Sequence, residues 1–424
     1  MKPLAEDWLR RNQDAEAFDV AAAAGALACS RLCRHDYIAA RDALRIAQAS
    51  IAQSDSTYGR CWVTIIECLR EIAQGDPVLA ATRLMEVEQR AKNDIAPTAS
   101  IVSVVAVVRA RALHECGAFA EAQQLATDNL CRAAKNGVPD TTWSGIKVLI
   151  PSAVAGTGSF TVEQLGAIAR EYPKRISTLF ELAILDTLML SDRIDEALAQ
   201  AVGMGWTSKA GWRQPFLDGM LEVERTAARM ASAGLFMRFG HLREAGDLIQ
   251  EEIKLAEETG RRKDQIELHL LNAQLLSQAS SRNLSLRAIA RAIGLTAKQG
   301  IYAPFLRHGR FVAQLLGNIG PKELGLVHRD EQIVFGKVLR MVGASTAASR
   351  RNDEDEPLAD RPTRRELELL YMLEAGLDNA QIADRLRVSI RTVKWHLSNL
   401  YLKLGVKSRT SAVARGRALQ ILRS

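Results

Sequence analysis

The sequence predicts an all-α protein in which a long region of helical repeats is followed by a small basic domain of four helices. Three observations lead to this fold class. The chain is 47% hydrophobic but only 5% aromatic and has eleven Pro in 424 residues, a composition that favours helices. A short motif ending in Ala recurs at intervals of roughly 40 residues, as helical repeats do. Four helix-start signals fall within the last sixty-odd residues.

The positive charge of the chain is concentrated near its C-terminus. Overall the sequence carries 56 Lys and Arg against 49 Asp and Glu, a net charge of +7. Residues 358–424 contain 13 of these cations and 6 of the acids, so the rest of the chain is balanced. A basic segment of this kind predicts an anionic partner for the C-terminal region alone.

The repeat consists of Gly or Asp followed five positions later by Ala. Four copies are clear, Gly75/Ala80, Gly117/Ala122, Asp192/Ala197 and Gly240/Ala245, and two are weaker, His35/Ala40 and Asn283/Ala288. The double-length gap between 117 and 192 predicts one degenerate unit near residue 155. This pattern indicates a helical hairpin, because the Gly or Asp ends one helix and the small Ala lets the next helix approach closely. Stacked hairpins form an α-solenoid; a generic helical domain with chance matches is the alternative.

These repeats resemble tetratricopeptide-like units, and specifically the helical region of MalT-like regulators. The segment "YAPFLRHG" at 302–309 strengthens the likeness, which covers roughly residues 35–315. Such regulators carry an N-terminal nucleotide-binding domain, but "GTGSF" at 156–160 lacks the Lys of a phosphate-binding loop. The resemblance therefore implies a solenoid without the ATPase domain, whose concave surface would hold a small ligand, a peptide or a protein.

The domain organisation predicted from composition has three parts. Residues 1–342 form the tetratricopeptide-like sensor or interaction domain. Residues 343–362, "GASTAASRRNDEDEPLADRP", have little apolar content to bury and are predicted to be a flexible linker. Residues 363–424 form the basic domain.

Start and stop signals divide the basic domain into four helices. Thr363 with Glu366 forms a Thr-x-x-Glu capping box for a helix that Gly376 ends, and Asp378 with Gln381 opens a short second helix to about residue 386. Ser389 is predicted to cap the third helix, which ends at residue 405, and residue 408 to cap the fourth.

The third helix has an apolar back and a cationic front. At 100° per residue, the core stripe consists of Ile390, Val393, Leu397, Leu400 and Leu404. The opposite face carries Arg391, Trp395, Ser398 and Leu402, with Lys394 beside it, and one flank carries Thr392, His396, Asn399 and Lys403. A helix of this kind suits the major groove of DNA, where the front contacts bases and the flanks contact phosphates.

The segment "TRRELELL…AGLDNAQIADRL…VSIRTVKWHLSNLYLKLGVKSRTSAV" resembles the LuxR/NarL-type helix-turn-helix domain along its whole length. The resemblance implies that Lys394, Trp395 and Ser398 reach bases, and the helix face adds Arg391. It implies phosphate contacts for Thr392, His396 and Arg409, and the flank adds Lys403. Trp395 packing against a neighbouring domain is an alternative to a base contact.

Other functional classes find little support. No nucleophile, base and orienting group can be assembled from the seven scattered His, so an enzyme is not expected, and neither is a cofactor. The six Cys lie between 29 and 131 and are predicted to be reduced core thiols of a cytoplasmic protein, with a metal or redox pair at Cys29 and Cys33 as the alternative. The apolar run 101–108 is too short to span a bilayer.

The sequence therefore predicts a sequence-specific transcriptional regulator that binds double-stranded promoter DNA. A homodimer is expected on DNA because small helix-turn-helix domains read paired half-sites, and RNA polymerase is an expected partner if the protein activates. An adaptor that mainly binds proteins through its repeats, with DNA binding secondary, is the alternative.

Overall fold

The computed structural model describes residues 2–12, 15–206, 219–317, 319–353 and 364–386, and after these 390, 393–394, 396–397, 400–401, 406 and 408–418. Within these ranges the regular structure is helical and no strand occurs. The chain divides into two compact units, Met1–Thr346 and Ala347–Ser424. The all-α fold class is thus confirmed.

The first unit begins with a short helix and continues as consecutive helical pairs. Its helices are α1 (Lys2–Arg11), α2 (Ala17–Leu32), α3 (Tyr37–Ile51), α4 (Thr57–Gln74), α5 (Pro77–Asp94), α6 (Ser100–Glu115), α7 (Phe119–Asn136), α8 (Pro139–Val154), α9 (Val162–Arg170), α10 (Lys174–Leu190), α11 (Ile194–Gly203), α12 (Glu222–Arg238), α13 (Leu242–Glu258), α14 (Arg262–Gln278), α15 (Arg282–Gln299), α16 (Ala303–Arg307), α17 (Gly309–Leu316) and α18 (Arg329–Asp353).

Each even-numbered helix from α2 to α16 packs against the helix that follows it, and against the even-numbered helices on either side. The even-numbered helices therefore form one continuous inner layer, and their partners α3 to α17 are added along it. This nearest-neighbour stacking of hairpins is the arrangement of a solenoid.

The turns inside the hairpins lie where the repeat motif predicts them. His35, Gly75, Gly117, Asp192 and Gly240 all have φ between +56° and +103°, the left-handed conformation that ends a helix. The degenerate unit predicted near residue 155 is also present, because Gly156 has φ +69° between α8 and α9. One position is wrong: Asn283 lies inside α15, and Ser280, with φ +59°, makes that turn.

The alanines of the motif fill the contacts between helices. Ala40, Ala80, Ala122, Ala197 and Ala245 are completely buried. A methyl group at these positions lets the second helix of each hairpin approach the first, as the motif predicts.

The inner layer curves until helices five hairpins apart touch. Helix α14 contacts α4, and α16 contacts α6. At the second contact the Tyr302 amide donates a hydrogen bond of 2.7 Å to the Glu115 carbonyl. The inner helices consequently curve around a partly enclosed space.

Helix α18 continues to Asp353, beyond residue 343 where the predicted linker begins. The division between the two compact units falls within the same range. The first part of the predicted linker is thus helical; its flexibility and the exact domain limits stay predictions.

The second unit is a small helical domain. It contains α19 (Arg364–Glu374), α20 (Asn379–Leu386), helical residues between 390 and 401, and α21 (Arg409–Ala418). Gly376, with φ +82°, follows α19 as predicted. Asp378 opens α20 as predicted, because its Oδ1 accepts from the Ala380 and Gln381 amides at 2.8 Å. The predicted caps Thr363 and Ser389 lie outside the described residues.

Candidate nucleic-acid interface and interior cavity

The third helix of the second unit buries one face in the domain core. Val393, Leu397 and Leu400 are 0–5% exposed. They belong to one cluster with residues from the flanking helices, namely Leu369, Leu370, Leu373, Ile382, Ala383 and Ala412. Ile390 is 47% exposed, so the predicted core stripe is wrong at that residue. Burial of Val393, Leu397 and Leu400 fixes the rotation of the helix and directs Lys394 outward, whereas Leu404, the fifth residue of the predicted stripe, lies outside the described residues.

Lys394 and Arg409 line the same shallow groove. The groove also contains Asp378, Asn379 and Tyr401, so it joins the start of α20 to the third helix and to the start of α21. Lys394 is exposed and Arg409 is partly buried. The groove thus brings together one residue predicted to contact bases and one predicted to contact phosphates.

Arg409 also has a structural role that the sequence did not reveal. Its Nη2 donates a hydrogen bond of 3.0 Å to the carbonyl of Leu373, in the last turn of α19. Arg417 of α21 pairs with Glu374 at 2.9 Å. Two arginines therefore attach α21 to the end of α19, and one of them is a predicted phosphate ligand.

The remaining predicted DNA contacts are only partly described. His396 is half-buried and has an interaction with a neighbouring group. Five residues lie outside the described residues: Arg391, Thr392, Trp395, Ser398 and Lys403. Their roles, and the choice between a DNA contact and internal packing for Trp395, stay predictions.

The first unit contains a cavity of about 290 Å³. Side chains from all eight inner helices line it, from Cys29 on α2 to Arg307 on α16. Its apolar lining residues include Leu69, Ile72, Trp143, Ile150, Leu179, Leu182 and Met230. The cavity is a direct consequence of the curvature of the inner layer.

Charged side chains from different helices meet in this cavity. Arg175 forms a two-pronged pair with Asp140 at 2.8 and 3.0 Å. The Glu115 carboxylate forms ion pairs with Arg111, at 2.8 Å, and with Lys263, at 3.3 Å. Although burial raises the pKa of Glu115, Lys263 and Arg111 hold that pKa well below its ordinary value.

Lys147 is the exception among the cations that line the cavity. No hydrogen bond or ion pair joins its ammonium to another described residue. Burial, together with the nearby charges of Arg111 and Lys263, holds the pKa of Lys147 well below its ordinary value. No motif in the sequence marks Lys147 as functional, although an isolated Lys within the apolar segment "WSGIKVLIP" is a usable signal.

The thiols of Cys29 and Cys33 also face the cavity. Burial raises the pKa of both, that of Cys33 to about 12, so neither is a thiolate at neutral pH. All six cysteines are free; Cys33, Cys61 and Cys68 are buried and Cys131 is exposed. Within the described residues, no three or more His, Cys, Asp or Glu side chains are grouped as metal ligands.

Residues 362–415 match the family model described as "Bacterial regulatory proteins, luxR family". The match covers α19, α20, the third helix and most of α21. The C-terminal segment is therefore a LuxR-family helix-turn-helix domain, a DNA-binding module. The helical first unit is consistent with the expected repeat region, but the likeness to MalT-like tetratricopeptide repeats stays an expectation. None of the helices that the structure describes is long and apolar enough to cross a membrane.

Proposed function

We propose that this protein is a sequence-specific transcriptional regulator that binds promoter DNA as a homodimer and responds to a ligand or partner held by its helical first unit. The observation that supports the proposal most directly is the orientation of the third helix. Its apolar side is buried at Val393, Leu397 and Leu400 while Lys394 is exposed on the other side. In a LuxR-family domain this is the helix expected to enter the major groove.

The proposed contacts separate into two classes. Lys394, Trp395, Ser398 and Arg391 would read base edges, whereas Thr392, His396, Lys403 and Arg409 would bind phosphates. Phosphate contacts supply affinity that falls as salt rises, and base contacts supply selectivity. The groove shared by Lys394 and Arg409 supports this division, because Lys394 is exposed and Arg409 is anchored to the Leu373 carbonyl.

Binding-site mapping tests the proposal. The tagged protein would be immunoprecipitated from cells with its DNA, in parallel with Lys394→Ala and with Arg415→Ala, an exposed cation of α21. We expect a short motif with two-fold symmetry for the native protein and for Arg415→Ala, and loss of that motif for Lys394→Ala.

Binding to the recovered motif in solution completes the test. If Lys394 contacts a specific base, its removal should cost about 1–3 kcal/mol on the motif and much less on unrelated DNA. Unchanged affinity and selectivity for Lys394→Ala would show that the recognition helix is wrongly assigned. Loss of DNA binding without any effect on the phenotype would favour the protein-binding adaptor. If the protein activates, RNA polymerase should be recruited to the motif only when the native protein is bound.

A further inference from the structure

We propose that the interior cavity of the first unit binds a small organic acid, whose carboxylate pairs with Lys147 and whose apolar part lies against Trp143 and its apolar neighbours. The inference deepens the ligand response within the proposed function and rests on it for its regulatory meaning, although binding itself can be tested without DNA. Three features of the cavity support it: the charge around Lys147, the apolar wall and the size.

The positive charge at one end of the cavity is only partly compensated. Arg111 and Lys263 share the single carboxylate of Glu115, and Lys147 lies among these groups with no bonded partner among the described residues. Asp264, another carboxylate that lines the cavity, already pairs with Arg261 at 3.1 Å. Arg111 and Lys263 are thus two cations on one bonded carboxylate, and an added anion beside them would favour the charged form of Lys147, which burial and these cations now disfavour.

The other cations of the cavity do not compete for this role. Arg175 is held by both oxygens of Asp140. Arg307 pairs with Glu267 at 3.1 Å and also with Asp186. Because these cations have bonded carboxylates, Lys147 is the one Lys or Arg of the described cavity lining that is left without such a partner.

The lining next to Lys147 favours an organic anion over an inorganic one. Trp143 precedes Lys147 by one turn on α8, and Ile150 follows it by one turn. All three line the cavity together with Leu179 and Leu182 from α10. An acid with an aromatic or aliphatic body would bury this apolar surface, which a hydrated inorganic ion cannot do.

The volume limits the size of the ligand. The cavity of about 290 Å³ lies at the lower end of the range of roughly 300–1,000 Å³ that is usual for small-molecule sites. A compact acid with one ring or a short chain fits this space.

Titration of the full-length protein with matched acid and amide pairs tests the proposal. The probes are 4-phenylbutyrate, indole-3-acetate and octanoate, each compared with its primary amide by calorimetry, and inorganic phosphate. We expect at least one acid to bind saturably and at least tenfold more tightly than its amide. Equal affinity within every pair, no saturable binding of any acid, or binding of phosphate alone would overturn the proposal.

Two variants connect the binding to Lys147. Lys147→Met should weaken the acid at least tenfold and leave the amide unchanged, whereas Lys254→Met should change neither, since Lys254 is an exposed side chain of α13. Lys147→Met replaces a buried amine that has no bonded partner among the described residues with an apolar side chain of similar length, so we expect it to fold and to raise Tm by about 2 °C or more. Native-like acid binding by a folded Lys147→Met protein would contradict the assignment. Because these measurements omit DNA, a negative result leaves the DNA-binding proposal intact.

Discussion

Arg261 and Glu252 form an ion pair inside the first unit, with Nη2 and Oε2 separated by 3.3 Å and side chains only 2% and 1% exposed. Arg229 contacts the other oxygen of Glu252 at 2.6 Å. The Arg261 guanidinium also donates to Thr226 at 2.9 Å. This buried network connects α12, α13 and the start of α14, so the stacking of two hairpins depends on it.

We predict that Arg261→Met destabilises the first unit by about 3 kcal/mol. Loss of one partner of a buried pair costs roughly 3–5 kcal/mol, and the lower end applies because Arg229 still compensates Glu252. Urea denaturation followed by circular dichroism would measure the change. Arg243→Met, an exposed substitution on α13, serves as the control, and a loss below about 1 kcal/mol for Arg261→Met would show that the network contributes little.

Gly75→Ala should lower the free energy of unfolding of the first unit more than Gly260→Ala does. Both glycines have positive φ, +103° and +70°, so both substitutions carry a backbone cost of roughly 1 kcal/mol. A Cβ at Gly75 would also lie 2.9 Å from the Cβ of Arg262 and 3.3 Å from Ile301, whereas one at Gly260 meets nothing within 4 Å. The difference in unfolding free energy should be about 1–2 kcal/mol.

Comparison of these two substitutions also distinguishes the effect of the turn conformation from the effect of the contact that closes the solenoid. Arg262 begins α14, which contacts α4 five hairpins earlier. Increased hydrogen exchange at the start of α14 should therefore appear in Gly75→Ala but not in Gly260→Ala. Equal effects of the two substitutions would indicate that the contact between α4 and α14 is easily displaced.

His269 should make the first unit sensitive to acid. Burial lowers the pKa of this histidine from its ordinary value near 6.5 to about 4. The unfolded chain therefore takes up a proton below pH 6.5, whereas the folded chain does so only near pH 4. The free energy of unfolding consequently falls as the pH decreases through this window, by up to about 3 kcal/mol from His269 alone.

His269→Gln removes this titration, so its stability should decline less between pH 6.5 and 4 than that of the native protein. Denaturation curves at half-unit pH intervals would show the difference in slope. His328→Gln, at an exposed imidazole, should follow the native curve. Parallel curves for His269→Gln and the native protein would exclude His269 as a source of the pH dependence.

Asp378→Ala should loosen α20 without changing the surface of the third helix. Asp378 accepts two amide hydrogen bonds at 2.8 Å and donates its own amide to Gln381 Oε1 at 2.9 Å. Loss of such a cap costs about 1 kcal/mol. Hydrogen exchange at residues 379–386 should accelerate severalfold, whereas Asp384→Ala, an exposed change in the same helix, should leave the rates nearly unchanged.

The local features of this fold were largely readable from the sequence. The turn at Gly75 and the cap at Asp378 involve residues within five positions of one another, and their backbone requirements select particular residue types. The predicted position of a turn was wrong where several neighbouring residues could adopt the left-handed conformation that ends a helix. Ser280 makes the turn assigned to Asn283, because a left-handed residue a few positions earlier ends the helix equally well.

The orientation and surroundings of the third helix were predictable from the sequence only in outline. Helical periodicity correctly assigned Val393, Leu397 and Leu400 to the core, but it also assigned Ile390, which is 47% exposed. A position at the edge of an apolar stripe is buried only if a neighbouring element covers it. Periodicity also could not show that Arg409 bonds to the Leu373 carbonyl, since these residues are far apart along the chain.

The sequence by itself determined the all-helical fold class, where most of the hairpins turn and which segment carries the LuxR-family domain. The tertiary structure decided which charged residues meet. Glu115, Lys147 and Lys263 come from three different inner helices, and Tyr302 closes the layer by bonding to the Glu115 carbonyl. The physical reason is that a turn or a cap depends on neighbouring residues, whereas the cavity depends on small rotations between hairpins that accumulate over five repeats.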